Sequence, residues 1–89
     1  MSERFFLYDH TNTTKSRFVS FMGEHTRYDL VFTYSDEYYG KVLVLHIQSN
    51  RFAILGEDDL NEEGYIEFAF GLSEEEAEEL TSFLYEVVI

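Results

Sequence analysis

Cysteine is absent from the 89 residues, which removes disulfides, thiolate nucleophiles, iron–sulfur clusters and cysteine-based zinc sites together. Basic side chains are scarce: six Lys and Arg stand against eighteen Asp and Glu, a formal net charge of −12. Nucleic acids are bound by clustered cations that release counterions from the phosphates, so direct nucleic-acid binding is disfavoured. Long apolar runs are missing too. The longest aliphatic stretch, Val42 to Leu45, is far short of the roughly 18 residues that span a bilayer, and no membrane partner is expected. Residues Met1 to His10 hold no signal-peptide core, which with the missing cysteine places the expected compartment in the cytoplasm. Proline is absent and the five glycines are scattered, so no proline-rich linker divides the chain and no phosphate-cradling loop is present. A single domain over residues 1–89 is expected, since a chain this short supports one core.

What is present is aromatic and unevenly charged. Nine Phe and seven Tyr read as core material, because single-strand binders that stack bases on aromatics set them in positive grooves. Residues 1–51 hold all six basic residues and six acids and are neutral, whereas residues 52–89 hold twelve acids and no Lys or Arg. The whole excess of negative charge belongs to the second part.

The first part alternates with the period of strands. Tyr28, Leu30, Phe32 and Tyr34 fall on one face, and Val42 to Ile47 is apolar on both, which predicts a strand covered on both sides or lying at an interface. Strands are predicted over 4–8, 16–23, 27–34, 41–48 and 51–55. Their links are short enough to join antiparallel neighbours as a meander. The second part changes period. Ser73 and Glu76 form a capping box and Leu72 with Ala77 a hydrophobic staple, opening a helix over 74–87 whose stripe is Ala77, Leu80, Leu84, Val87 and Val88. Residues 57–71 are ambiguous: Ile66, Phe68 and Phe70 alternate as in a strand, while Asp58 would cap a helix that Gly71 ends. Helix is preferred. The expected fold is α+β: an antiparallel four- to five-stranded meander with the C-terminal helix packed on one face.

These features resemble the small bacterial proteins grouped as domain of unknown function 3055. The resemblance rests on Arg4-Phe5-Phe6-Leu7-Tyr8-Asp9, Thr14-Lys15, Arg17-Phe18-Val19, Asp36 with Tyr38-Tyr39-Gly40-Lys41, and Gly64-Tyr65 leading into Ser73-Glu74-Glu75-Glu76-Ala77. It implies a cytosolic protein with no assigned activity, and no catalytic residues come with it.

Two surfaces stand out as candidates for partner binding. On the helix, Glu74 faces Glu78 and Glu75 faces Glu79, like-charged pairs that cost roughly 0.2–0.5 kcal/mol each. First-turn carboxylates recover about 0.3–1 kcal/mol from the macrodipole, but Glu78 and Glu79 lie beyond that turn. Either the face is solvated and keeps the domain soluble, or it docks a basic partner, or it mimics a nucleic acid in such a partner's groove. The second surface is Tyr38-Tyr39 in the loop Asp36 to Gly40, since paired tyrosines anchor interfaces, unless one folds back onto the sheet edge. Lys15 and Arg17 would grip a small anion or pair with nearby acids, and pairing is expected.

Chemistry is less well supported. His10, His25 and His46 show neither the helical His-Glu-x-x-His pair nor a calcium loop, and no Gly-x-Ser-x-Gly elbow is present. No metal or cofactor is therefore expected. The leading expectation is a non-catalytic protein-interaction or regulatory module acting through Tyr38, Tyr39, Glu75, Glu78 and Glu79, and a homodimer would help to hide sixteen aromatics. The alternative is a small hydrolase or metal-dependent enzyme built on His10, His25 and neighbouring carboxylates, provided folding brings them together.

Overall fold

The computed structural model describes residues 3–88. Four strands, β1 (Lys15–Met22), β2 (Arg27–Tyr34), β3 (Val42–His46) and β4 (Arg51–Leu55), are followed by helices α1 (Glu57–Asn61), α2 (Tyr65–Phe70) and α3 (Glu74–Val88). The strands pair antiparallel in the order β1-β2-β3-β4, as their short links require. The register places Phe32 beside Arg17 and Val44, and Val31 beside Phe18 and Leu45. Asn50 takes the left-handed conformation in the turn before β4, which its short polar side chain tolerates.

All three helices lie on one face of the sheet. Tyr28, Leu30 and Phe32 of β2, Val42 and Val44 of β3, and Ala53 and Leu55 of β4 are buried there with Leu60, Ile66, Phe70, Ala77, Leu80 and Leu84. Phe83 joins the layers, its ring 4.5 Å from Phe21 and 6.3 Å from Phe32. The predicted box opens α3: the Glu76 N–H donates to Ser73 Oγ at 3.2 Å, and the Ser73 N–H donates to Glu76 Oε1 at 3.0 Å. Such a cap stabilises a helix by about 1 kcal/mol. The stripe Ala77, Leu80, Leu84 is buried, and Val87 and Val88 pack on its end.

Residues 57–71 resolve into two short helices. Ile66 and Phe70 are buried, whereas Phe68 is 81% exposed, so the four-residue spacing of a helix governs and the apparent alternation does not. The N-cap of α1 is Gly56 rather than the expected Asp58. Its N–H donates to Asp59 Oδ2 at 2.8 Å, and Lys41 Nζ reaches the same oxygen at 2.9 Å. Burial works against ionisation of Asp59, but these two donors hold its carboxyl below the ordinary range. Gly71 ends α2 in the left-handed conformation, which favours glycine, and the Arg51 guanidinium lies over it, within 2.7 Å of where a Cβ would stand.

The strand expected over 4–8 does not form. Phe5, Phe6, Leu7 and Tyr8 are 66–91% exposed and pair with no strand, because strand-forming side chains make a strand only where a partner edge supplies hydrogen bonds. The sheet therefore has four strands. The radius of gyration is 15.2 Å, against about 12 Å for a compact chain of this length, and the exposed residues 5–8 add length without joining the core.

Candidate functional site

On α3, Glu74, Glu75 and Glu78 are exposed, and Glu76 and Glu79 are half-buried. Their roles separate accordingly. Glu76 is occupied by the cap, and the Ser73 N–H holds its carboxyl below the usual carboxylate range. Glu79 turns toward the link between β1 and β2, where one oxygen accepts the Glu24 N–H at 2.6 Å and the other is buried without a hydrogen-bond partner among the described residues. Gly23 permits this approach, since a Cβ there would overlap the Glu79 carboxylate. Tyr28 lies beneath, its hydroxyl donating to the Glu76 carbonyl at 3.1 Å. Burial, followed by the adjacent Glu79, pushes the phenol far above its ordinary range. Glu79 thus ties the helix to the turn, while Glu74, Glu75 and Glu78 face outward.

Among the described residues the basic side chain beside those outward carboxylates is a histidine. His25 Nε2 lies 3.7 Å from Glu75 and 4.0 Å from Glu24, and together with Glu78, Glu79 and Ser82 they line an open hollow of about 500 Å³. Among the described residues no Lys or Arg lies within 4.0 Å of any α3 carboxylate; Lys41 pairs with Asp58 and Asp59, and Arg27 with Asp29. Lys15 and Arg17, expected to pair with acids, have no carboxylate within that distance either, because the register sets them across from Tyr34 and Phe32 on the edge strand. The negative field of α3 is left unbalanced by the neutral half of the chain.

The tyrosine loop lies at the other end of the sheet. Asp36–Tyr38 forms one 3-10 turn capped by Ser35, whose hydroxyl accepts the Glu37 N–H at 3.1 Å. Tyr39 follows with φ 53°, a left-handed conformation uncommon outside glycine, and its ring is 94% exposed. Tyr38 is half-buried, so the two tyrosines are not equally presented and Tyr39 is the one that projects. The loop is tied to the amino-terminal segment: His10 Nε2 lies 2.8 Å from Glu37 Oε1, and the Asn12 amide donates to Ser35 Oγ and Glu37 Oε2, both at 3.0 Å. The Asn12 bond, then His10, holds the Glu37 carboxyl below its ordinary range.

This placement separates the histidines. His10 is bound beyond the carboxyl end of β2 and His25 precedes its amino end, and the eight residues between span roughly 25 Å at strand rise. Among the described residues no three His, Asp or Glu side chains are arranged to hold a metal ion. The alternative enzyme therefore loses the convergence it required. His46 is buried in the core: its Nδ1 accepts the Ser49 N–H at 3.2 Å and lies 2.7 Å from the Ser49 hydroxyl. Nδ1 accepts from Ser49, and burial pushes the imidazole's pKa below its ordinary value, both favouring the neutral ring.

One surface was only half visible in the sequence. Val42 to Ile47 alternates Val42, Val44 and His46, buried, with Leu43, Leu45 and Ile47, which point to the opposite face. Among the described residues nothing covers that opposite face. Phe18 is 78%, Phe52 66% and Ile54 41% exposed, and the pairing sets Phe18, Val31, Leu45 and Phe52 in one row across all four strands. The signal was the doubly apolar β3; Phe18 and Phe52 could be added only once the register was known.

Among the described residues no helix is long and apolar enough to cross a membrane. A comparison with curated proteins finds no match. The model of one family, described as SAV0927-like, matches residues 7–86, from the exposed amino-terminal segment through both candidate surfaces to the last turn of α3. The chain belongs to the SAV0927-like family.

Proposed function

We propose that this protein is a non-catalytic, cytoplasmic interaction module whose acidic α3 face, with the turn at Glu24 and His25, docks a basic partner. Membership of domain of unknown function 3055 is compatible with the family match and brings no reaction with it. The observation that carries the reading is the charge on Glu74, Glu75 and Glu78: three outward carboxylates with, among the described residues, no Lys or Arg within 4.0 Å. A face kept this way attracts cations over about a Debye length and accelerates encounter with a basic surface. The projecting Tyr39 at the far end offers a separate aromatic anchor.

The test is a binding measurement with a basic protein fraction at low salt. The native chain retains partners that elute as salt rises, and Glu75→Lys with Glu78→Lys abolishes retention while the fold, followed by circular dichroism, persists. Retention unaffected by the double change refutes the acidic face as the docking surface. Glu79→Lys is a poor probe, since it also removes the tie to Glu24.

A further inference from the structure

We infer that the outer face of the sheet is a self-association surface that a second copy of this chain covers. The face carries an apolar band where solvent-facing strands are normally polar: Phe18, Val31, Leu45 and Phe52 form one row across all four strands, and Leu43 and Ile54 widen it on β3 and β4, in the row that Ser16 and Thr33 complete. Contiguous apolar patches of more than a few hundred Å² mark interaction sites. Four strands about 4.8 Å apart present on the order of 500 Å² of accessible face, so two copies remove on the order of 1,000 Å² from water, the level at which specific interfaces begin.

Charge selects a second copy and this orientation. Two molecules of net charge −12 repel through most of their surface. The outer face is the exception, because its one carboxylate, Asp29, is held by Arg27 at 3.1 Å and by the Gln48 amide at 2.6 Å. Face-to-face stacking also keeps the acidic helices on the two outsides. With layers about 10 Å apart they are separated by roughly 30 Å, several Debye lengths at physiological salt. The same patch on each copy meets its twin about a two-fold axis, as in aligned sheet packing. This surface is distinct from the acidic one, so either reading stands without the other.

The experiment is sedimentation of the native chain over a wide concentration range, paired with a dilution series followed by backbone NMR. The mass rises toward twice 10.5 kDa, and the concentration-dependent shifts fall on residues 16–20, 29–33, 43–45 and 52–54 while the helices are unchanged. Phe18→Ser and Phe52→Ser alter exposed side chains that the fold does not need, and each raises the association midpoint by about tenfold or more. A monomer at every concentration overturns the inference, as does a dimer indifferent to both changes. It also fails if nuclear Overhauser contacts show the chain's own Phe5 to Tyr8 covering the face.

Discussion

The two faces of this sheet are built from the same strands in alternation, and by composition they are hard to tell apart. The inner one carries Tyr28, Leu30, Phe32, Val44 and Leu55, all at 0–1% exposure, and the outer one carries Phe18 and Phe52 at 78% and 66%. Their side chains belong to the same chemical class. They differ because every connection after β4 passes to one side, so three helices cover one face and none the other. Apolar character makes a side chain eligible for burial; connectivity decides whether it is buried.

The largest effect that tests this contrast is a deletion on each face. Phe32→Ala, at a fully buried position, should lower unfolding free energy by about 3–5 kcal/mol. Phe18→Ala should stay within about 0.5 kcal/mol of the native chain. Urea denaturation at a concentration where the chain is monomeric compares them, and equal losses would mean that the outer face is covered within one molecule.

A smaller effect uses pH on the inner face. The unfolded imidazole titrates near 6.5, and His46 in the fold titrates lower because burial disfavours its charged form. Between those two values the unfolded chain binds more protons, so the contribution is full above pH 6.5 and is lost as pH falls through the window. His46→Asn, which keeps an acceptor near Ser49, should lose less urea resistance than the native chain between pH 7.5 and 5.5; identical losses would show that His46 does not set the response. Below that window, Glu37 and Glu76 have carboxyls held below the ordinary range, so the stability they contribute is present above about pH 4.5 and disappears with further acidification.

Two weaker predictions concern the helical layer. Ser73→Ala removes the hydroxyl that accepts the Glu76 N–H and should cost about 1 kcal/mol, measured by thermal unfolding; no change would mean that the helix starts elsewhere. Smallest is Glu78→Gln, which relieves the repulsion with Glu74 and should stabilise by about 0.2–0.5 kcal/mol at low salt. The gain should shrink as salt screens the pair, and a gain that persists at high salt would deny its electrostatic origin.

Local chemistry accounts for what was readable in advance. The capping box at Ser73, the glycine that ends α2 and the two-residue alternation of β2 each depend on near neighbours in the chain. The errors arose where the answer lay across the fold. Phe5 to Tyr8 have strand-forming side chains but lie along neither open edge of the sheet, β1 or β4. Phe68 follows the alternation of Ile66 and Phe70 and still faces solvent, because a helix was selected by packing on β4. The candidate residues were legible as types, but Glu79 is a tie to Glu24, and Tyr38 is half-buried beside the projecting Tyr39; neither fact has a signature in the spacing.

Composition and periodicity by themselves determined an α+β chain with a meander, a capped acidic helix and no cysteine chemistry, since these follow from charge count, hydrophobic period and residues a few positions apart. Tertiary structure alone decided that His10 and His25 stand at opposite ends of the sheet and, among the described residues, that no lysine or arginine forms an ion pair with the α3 glutamates and that one apolar face is left open. Those outcomes depend on distances between residues far apart in sequence, which strand register and the side taken by the helices set, and no local pattern encodes them.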